Sequence, residues 1–253
     1  MRYFFEISYN GANYSGWQSQ PNATGIQTVV EDCLRKMLRE DIAIVASGRT
    51  DAGVHCSQQF FHTDIQQDIK ATDFLHNLNS FLPKDIAIHA ILPVTDEANA
   101  RYDAFERSYV YKIVRKKNVF TPGFAWYFFK PLDIANMNAA AALLVGRHDF
   151  RCFSKVHTDV SNFVCTIKEA KWTTEGDFLI FNITANRFLR GMVRAIVGTL
   201  VDVGLGRTDL DKFGKILASG DRKEAGANVP PEGLYLAAVK YPEHIFLTSD
   251  HTV

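Results

Sequence analysis

Residues 42–64 read IAIVASGRTDAGVHCSQQFFHTD, two apolar runs separated by a segment of turn-forming residues. The aliphatic run IAIVASG (42–48) predicts a short buried strand, and SQQFFHTD (57–64) predicts a second. Between them Asp51 precedes an Ala-Gly turn, with Arg49 two residues before it and His55 four after. A loop held between two core strands is where a rigid scaffold can present a reactive group.

Working towards the N-terminus, YFFEISY (3–9) places Tyr3, Phe5, Ile7 and Tyr9 on one strand face, and NGANYSGWQSQPN (10–22) supplies turns. Thr24 with Gln27 has the spacing of a capping box. Ile26, Val29, Val30, Cys33, Leu34, Met37 and Leu38 then follow at amphipathic-helix spacing, ending near Arg39. Towards the C-terminus, DFLHNLNSFLP (73–83) predicts a helix, DIAIHAILPV (85–94) a strand, and ERSYVYKIVR (106–115) a longer strand with Tyr109, Tyr111 and Ile113 on one face. The second half repeats the style. A helix capped by Asp133, a hairpin over 167–185 turning at Gly176, another helix over 186–204 and a closing strand over 233–242 are expected. The fold class is α+β (a two-layer α/β arrangement): two subdomains, 1–130 and 131–253, of mostly antiparallel sheet flanked by helices, with the boundary at KPLD (130–133).

The composition permits a large core, with 47% hydrophobic and 22% charged residues over 253 positions. No stretch approaches a membrane span and MRYFFEISYN lacks the layout of a signal peptide, so a cytoplasmic protein with no membrane association is expected. Cys33, Cys56, Cys152 and Cys165 form no C-x-x-C pair, which argues against a zinc ribbon or disulfide framework. The 28 basic and 28 acidic residues cancel, so a nucleic-acid partner must be held by local patches rather than a chain-wide field.

In NRFLRGMVRAIVGTLVDVG (186–204), Met192, Ala195, Ile196, Thr199, Leu200 and Val203 make an apolar stripe. Arg187, Arg190 and Arg194 fall at i, i+3 and i+7 opposite it. Most charged helix faces are simply solvated, but Phe188, Val193 and Val197 flank this one, and a partly buried Arg194 needs an anion. Asp51 is the candidate, because a neighbouring arginine favours the ionised carboxylate that a nucleophile or base requires.

Six blocks in order, SGWQSQP (15–21), GRTDAGVH (48–55), ARYDAFERSYVYKI (100–113), GRHDFRCF (146–153), NRFLRGMVRAIVGTL (186–200) and PPEGLYLAAVKYP (230–242), resemble the TruA family of tRNA pseudouridine synthases. The resemblance implies an isomerase acting on uridines 38, 39 and 40 of the tRNA anticodon stem-loop, with no metal and no cofactor. It also implies a homodimer, and two subdomains similar to RNA-recognition modules joined in one curved sheet with a cleft between them. Matched motif by motif, Asp51 is the catalytic aspartate, Tyr111 the base-stacking tyrosine, Arg194 the arginine paired with Asp51, and Arg49 a loop arginine that helps move the target nucleotide. Where the family commonly has Ala-x-Gly after the histidine this chain has Cys56 and Gln58, and Asn99 stands where a histidine is frequent.

The chemistry suits these residue types. Pseudouridine formation breaks the N1–C1′ bond, turns the uracil and joins C5 to C1′, so one group at the sugar and a pocket for the base suffice. Asp51 either adds to C1′ or removes a proton from C2′. Tyr111 offers a flat face to the base and a hydroxyl to relay the C5 proton. Extruding the nucleotide costs a few kcal/mol that Arg49 can offset. Arg115, Lys116 and Lys117, with Arg187 and Arg190, are candidate phosphate contacts.

Blander readings stand beside these. Asp51 can be an Asx-type turn residue, Tyr111 a core aromatic, and Arg187 and Arg190 solvated charges. Asp51 with His55 and His62 invites a metal-dependent hydrolase, but the intervening Ala-Gly-Val argues for a loop and a third ligand is not evident. A non-catalytic RNA-binding module would keep RSYVYKIVRKK (107–117) and have no use for Asp51.

Overall fold

The computed structural model describes residues 1–155 and 161–247. It divides into two compact units, one of Met1–Phe105 with the chain from Leu236 onward, the other Glu106–Tyr235. Residue 130, the boundary read from the sequence, lies inside the second unit, because the strand over 106–114 gives its ladder to strand 178–185 of that unit.

The first unit holds β1 (Arg2–Tyr9), α1 (Ile26–Leu38), β2 (Val45–Ala46), β3 (His55–Asp64), α2 (Ala71–Phe81) and β4 (Ile86–Pro93). Its strand order is β4-β1-β3-β10, where β10 is Leu234–Lys240, with β2 against β3. β1 runs antiparallel to both neighbours, with Phe4 opposite His62 and Phe5 opposite Phe61. Alternation sends the odd residues one way, where the Phe5 and Phe61 rings stack at 4.9 Å. Phe4 points the other way and meets Phe60, His62, Tyr241 and Phe246. Both faces are therefore apolar at this level, which is why YFF and QFF are unbroken runs. Truncating Phe61 to alanine should cost about 3–5 kcal/mol.

Helix α1 buries Ile26, Val30, Leu34 and Leu38 as its spacing predicts, and closes on Arg39 in the left-handed region (φ +54°). The capping box does not form. Gly25 is the N-cap with no side-chain bond, and the first helical amides donate to the carbonyls of Gly16 and Trp17. Gln27 instead donates to Glu31.

The second unit holds β5 (Glu106–Val114), β6 (Trp126–Tyr127), α3 (Ile134–Ala142), β7 (Gly146–Asp149), β8 (Val164–Glu175), β9 (Phe178–Ala185), α4 (Met192–Gly204) and α5 (Leu210–Ser219). Its strands are ordered β5-β9-β8-β7, all antiparallel, with β6 parallel to β5. The hairpin turns at Gly176 (φ +59°) and Asp133 caps α3 by accepting from Asn136, both as expected. Each unit is thus α+β and mostly antiparallel, the class read from the sequence. Among the described residues no helix is long and apolar enough to cross a membrane.

The arginine stripe does not form. Helix α4 begins only at Met192, after Gly191 at φ +72°, so Arg187 and Arg190 lie in the preceding loop and share no helical face with Arg194. The helix is buried almost all round, and only Arg194 and Asp202 reach partial exposure.

Candidate active site

The loop carrying Asp51 is held from two sides within the first unit. From outside it is gripped by the turn after β1. Gly53 donates its amide to Tyr14 O, Trp17 to Thr50 O, and Gly11 to His55 Nδ1 at 3.1 Å. The approach is too close for side chains at two points: a Cβ on Gly11 would lie 2.0 Å from Val54 O, and one on Gly16 (φ +90°) 2.5 Å from Thr50 O. From inside, buried polar groups reach the same loop. Tyr9 Oη lies 2.8 Å from Thr50 Oγ1 and 2.9 Å from Gln59 Oε1, and Gln59 Nε2 donates to Gly48 O at 2.7 Å. Asp51 itself is half-buried, its carbonyl accepting from Val54, while the neighbouring Arg49 is exposed.

The nearby histidines serve as fasteners. His55 is 1% exposed, and its Nδ1 takes the Gly11 amide; His62 Nδ1 takes the Ala100 amide at 3.0 Å. The departures also have local work. Cys56 is a buried filler opposite Tyr9, and burial pushes its thiol well up, so it is inert. Gln58 bonds Glu6 and the Val239 amide. Asn99 Oδ1 accepts from the amides of Arg101 and Tyr102, closing a tight turn.

In the second unit the structure brings Tyr111 and Arg194 to one segment, residues 225–230. Tyr111 is fully buried. Its hydroxyl donates to Pro230 O at 2.9 Å and its ring meets Trp126 edge-on; at Gly233 a Cβ would fall 2.8 Å from Tyr111 Cζ. Burial pushes the phenol pKa up, partly offset by Arg194 and reinforced by Glu232. Arg194 Nε donates to Val229 O at 2.7 Å, and the Val229 amide returns a bond to Arg194 O. The segment is pressed onto α4, where Gly226 donates to Thr199 Oγ1, and is gripped by Arg222 at Ala225 O, Gly226 O and Asn228 Oδ1.

The other basic candidates are not gathered. Arg115, Lys116 and Lys117 follow one end of the β5–β9 ladder, where Lys116 pairs with Asp177 at 3.0 Å. Arg187 and Arg190 follow the other end, on the order of 25 Å away at about 3.3 Å per residue. Sequence reasoning missed Tyr9, Gln59 and the 225–230 segment. A tyrosine and a glutamine in strand runs look like ordinary core and edge positions, and the signal available was only the pair of glycines at 11 and 16.

A description of tRNA pseudouridine synthases matches residues 7–103 and 140–242, which include Asp51 and Arg194 and leave Tyr111 in the stretch between. This places the chain among the enzymes that modify tRNA by isomerising uridine. The chain belongs to the tRNA pseudouridine synthase family. It is 46% identical over 250 residues to the tRNA pseudouridine synthase A of Parabacteroides distasonis, across 98% of this chain and 99% of that one. It is 44% identical to the protein of that name from Porphyromonas gingivalis (97% and 99% covered) and 42% identical to that from Bacteroides fragilis (97% and 98%).

Proposed function

We propose that the protein converts uridine to pseudouridine at positions 38, 39 and 40 of the tRNA anticodon stem-loop, with Asp51 as the acting carboxylate and no cofactor. The observation that carries this reading is the Asp51 loop, a carboxylate-bearing turn fixed by backbone bonds outside and a buried polar chain inside. Such rigidity is what a group needs if it is to meet a sugar carbon in one geometry. The reaction is an isomerisation: N1–C1′ breaks, C5–C1′ forms, the C5 proton leaves and N1 gains one. It consumes no co-substrate.

In this reading Asp51 either adds to C1′ or takes a proton from C2′, and Arg194 pairs with it to fix the orientation of the carboxylate. Tyr111, fully buried in the free chain, meets the detached base as the uridine enters the site. Its hydroxyl is committed to Pro230, so we assign the ring rather than the proton to the substrate. Arg49, exposed beside Asp51, supports the extruded nucleotide, and Arg115, Lys116, Lys117, Arg187 and Arg190 contact phosphates. We further propose a cytoplasmic homodimer, in which two copies double a modest basic footprint. The test is incubation with unmodified tRNA transcripts followed by nucleotide-resolution mapping. Pseudouridine should arise at 38–40, and product confined to other positions would remove the site assignment.

A further inference from the structure

The buried chain beneath the Asp51 loop has a direction. Tyr9 has one hydroxyl hydrogen, and Gln59 Oε1, 2.9 Å away, has none to give, so Tyr9 donates to Gln59. Thr50 Oγ1, at 2.8 Å from Tyr9 Oη, must then donate to Tyr9. Gln59 Nε2 donates onward to Gly48 O. The run is Thr50 to Tyr9 to Gln59 to Gly48, each hydroxyl or amide polarising the next, among side chains that are nearly or fully buried. It begins and ends on the same loop. Thr50 and Gly48 bracket Arg49, and Thr50 is bonded covalently to Asp51. Tyr9 is in turn fixed by β1 and by the Trp17 ring at 6.0 Å.

We propose that Tyr9 is a positioning residue for the reaction: through Thr50 and Gln59 its hydroxyl sets the orientation of residues 48–51, and hence where the Asp51 carboxylate meets the sugar. The inference rests on the reading of Asp51 as the acting carboxylate. Its chemical content is geometric, since Tyr9 is buried and acts through its bonds to Thr50 and Gln59. Loss of the hydroxyl leaves the β1 ring packing and the outer backbone bonds of the loop in place, so the loop stays formed but loses its register.

The test is steady-state kinetics on tRNA transcript with melting temperature and tRNA affinity measured alongside. Tyr9→Phe should lower kcat about 10- to 100-fold, the scale of a misplacement near 1 Å, with KM and affinity within about twofold of wild type. Thr50→Val, which cannot donate, should match it, Thr50→Ser should restore most of kcat, and Tyr9→Phe with Thr50→Val should lose no more than either alone. Unchanged kcat per folded molecule in Tyr9→Phe, or an equal loss in Thr50→Ser and Thr50→Val, overturns the proposal; if Tyr9→Phe fails to fold, the Thr50 pair decides. Asp51→Asn is run beside them. If Asp51→Asn stays active the Asp51 reading fails, whereas an inactive Asp51→Asn with a normal Tyr9→Phe sinks only the positioning role.

Discussion

Tyr111 and Arg194 are fastened to consecutive carbonyls of one segment, Tyr111 Oη to Pro230 O and Arg194 Nε to Val229 O. Neither can shift without the segment, and the segment lies flush on α4 at Gly198, where a Cβ would come 1.9 Å from Ala227 O. Gly198→Ala decides between two opposed effects. Alanine gains about 1 kcal/mol of helix propensity, but the overlap with backbone costs about 1–3 kcal/mol or more. Net destabilisation is expected, with reduced kcat because both side chains move. Melting temperature and kcat measure it, and a stabilised, fully active variant would refute the coupling.

Removing the Tyr111 hydroxyl should separate its two roles. Tyr111→Phe keeps the ring and leaves Pro230 O without its donor, costing about 1–2 kcal/mol, while Tyr111→Ala should cost about 3–5 kcal/mol and abolish activity. Because burial holds the folded phenol's pKa above its ordinary value, the unfolded chain releases this proton first as pH rises beyond about 10, so stability falls from there upward. Tyr235, pushed up to about 12, adds to the fall. Unfolding free energy across pH 9–12 should drop less steeply in Tyr111→Phe than in wild type, and identical slopes would contradict the assignment.

His62 contributes on the acid side. Its Nδ1 accepts the Ala100 amide, and burial, then the nearby Arg2, hold its pKa below the usual histidine value. Below about pH 6.5 the unfolded chain gains a proton that the folded one resists, so its contribution is full above that pH and lost as pH falls through the folded value. Melting temperature from pH 7.5 to 5 should fall faster in wild type than in His62→Gln.

How much of this was legible in sequence depended on the range of the interaction. Periodicity found β1, α1, α2, β4 and the hairpin read over 167–185, and residue type found the Asp133 cap, because period 2, period 3.6 and capping are local properties of the chain. It placed the Asp51 loop for the same reason. It failed at α4, where Gly191 in a left-handed conformation breaks the helix before the arginines whose spacing had looked helical. It failed at Thr24, since α1 begins on carbonyls of residues 16 and 17 rather than on a side chain. Tyr9 with Gln59, and Tyr111 with Pro230, are partners 50 and 119 residues apart, and no local pattern encodes them.

Lys116 sits in an exposed pair with Asp177, a contact worth about 0–1 kcal/mol that a phosphate can displace. Lys116→Ala should therefore flatten the salt dependence of tRNA affinity by about one unit without changing which uridine is modified, and Asp177→Asn should tighten binding. Affinity titrations between low and moderate salt test both. An unchanged slope would take Lys116 out of the interface.

The most direct measurement is pseudouridine formation on tRNA transcript by Asp51→Asn, with circular dichroism and melting to establish its fold. The amide preserves the shape of the side chain and removes the anionic oxygen that attacks carbon or takes a proton. We expect a folded protein that still binds tRNA and forms no detectable pseudouridine. A folded Asp51→Asn that retains more than about a tenth of wild-type turnover, a rise of less than about 1.4 kcal/mol in the barrier, would contradict the account.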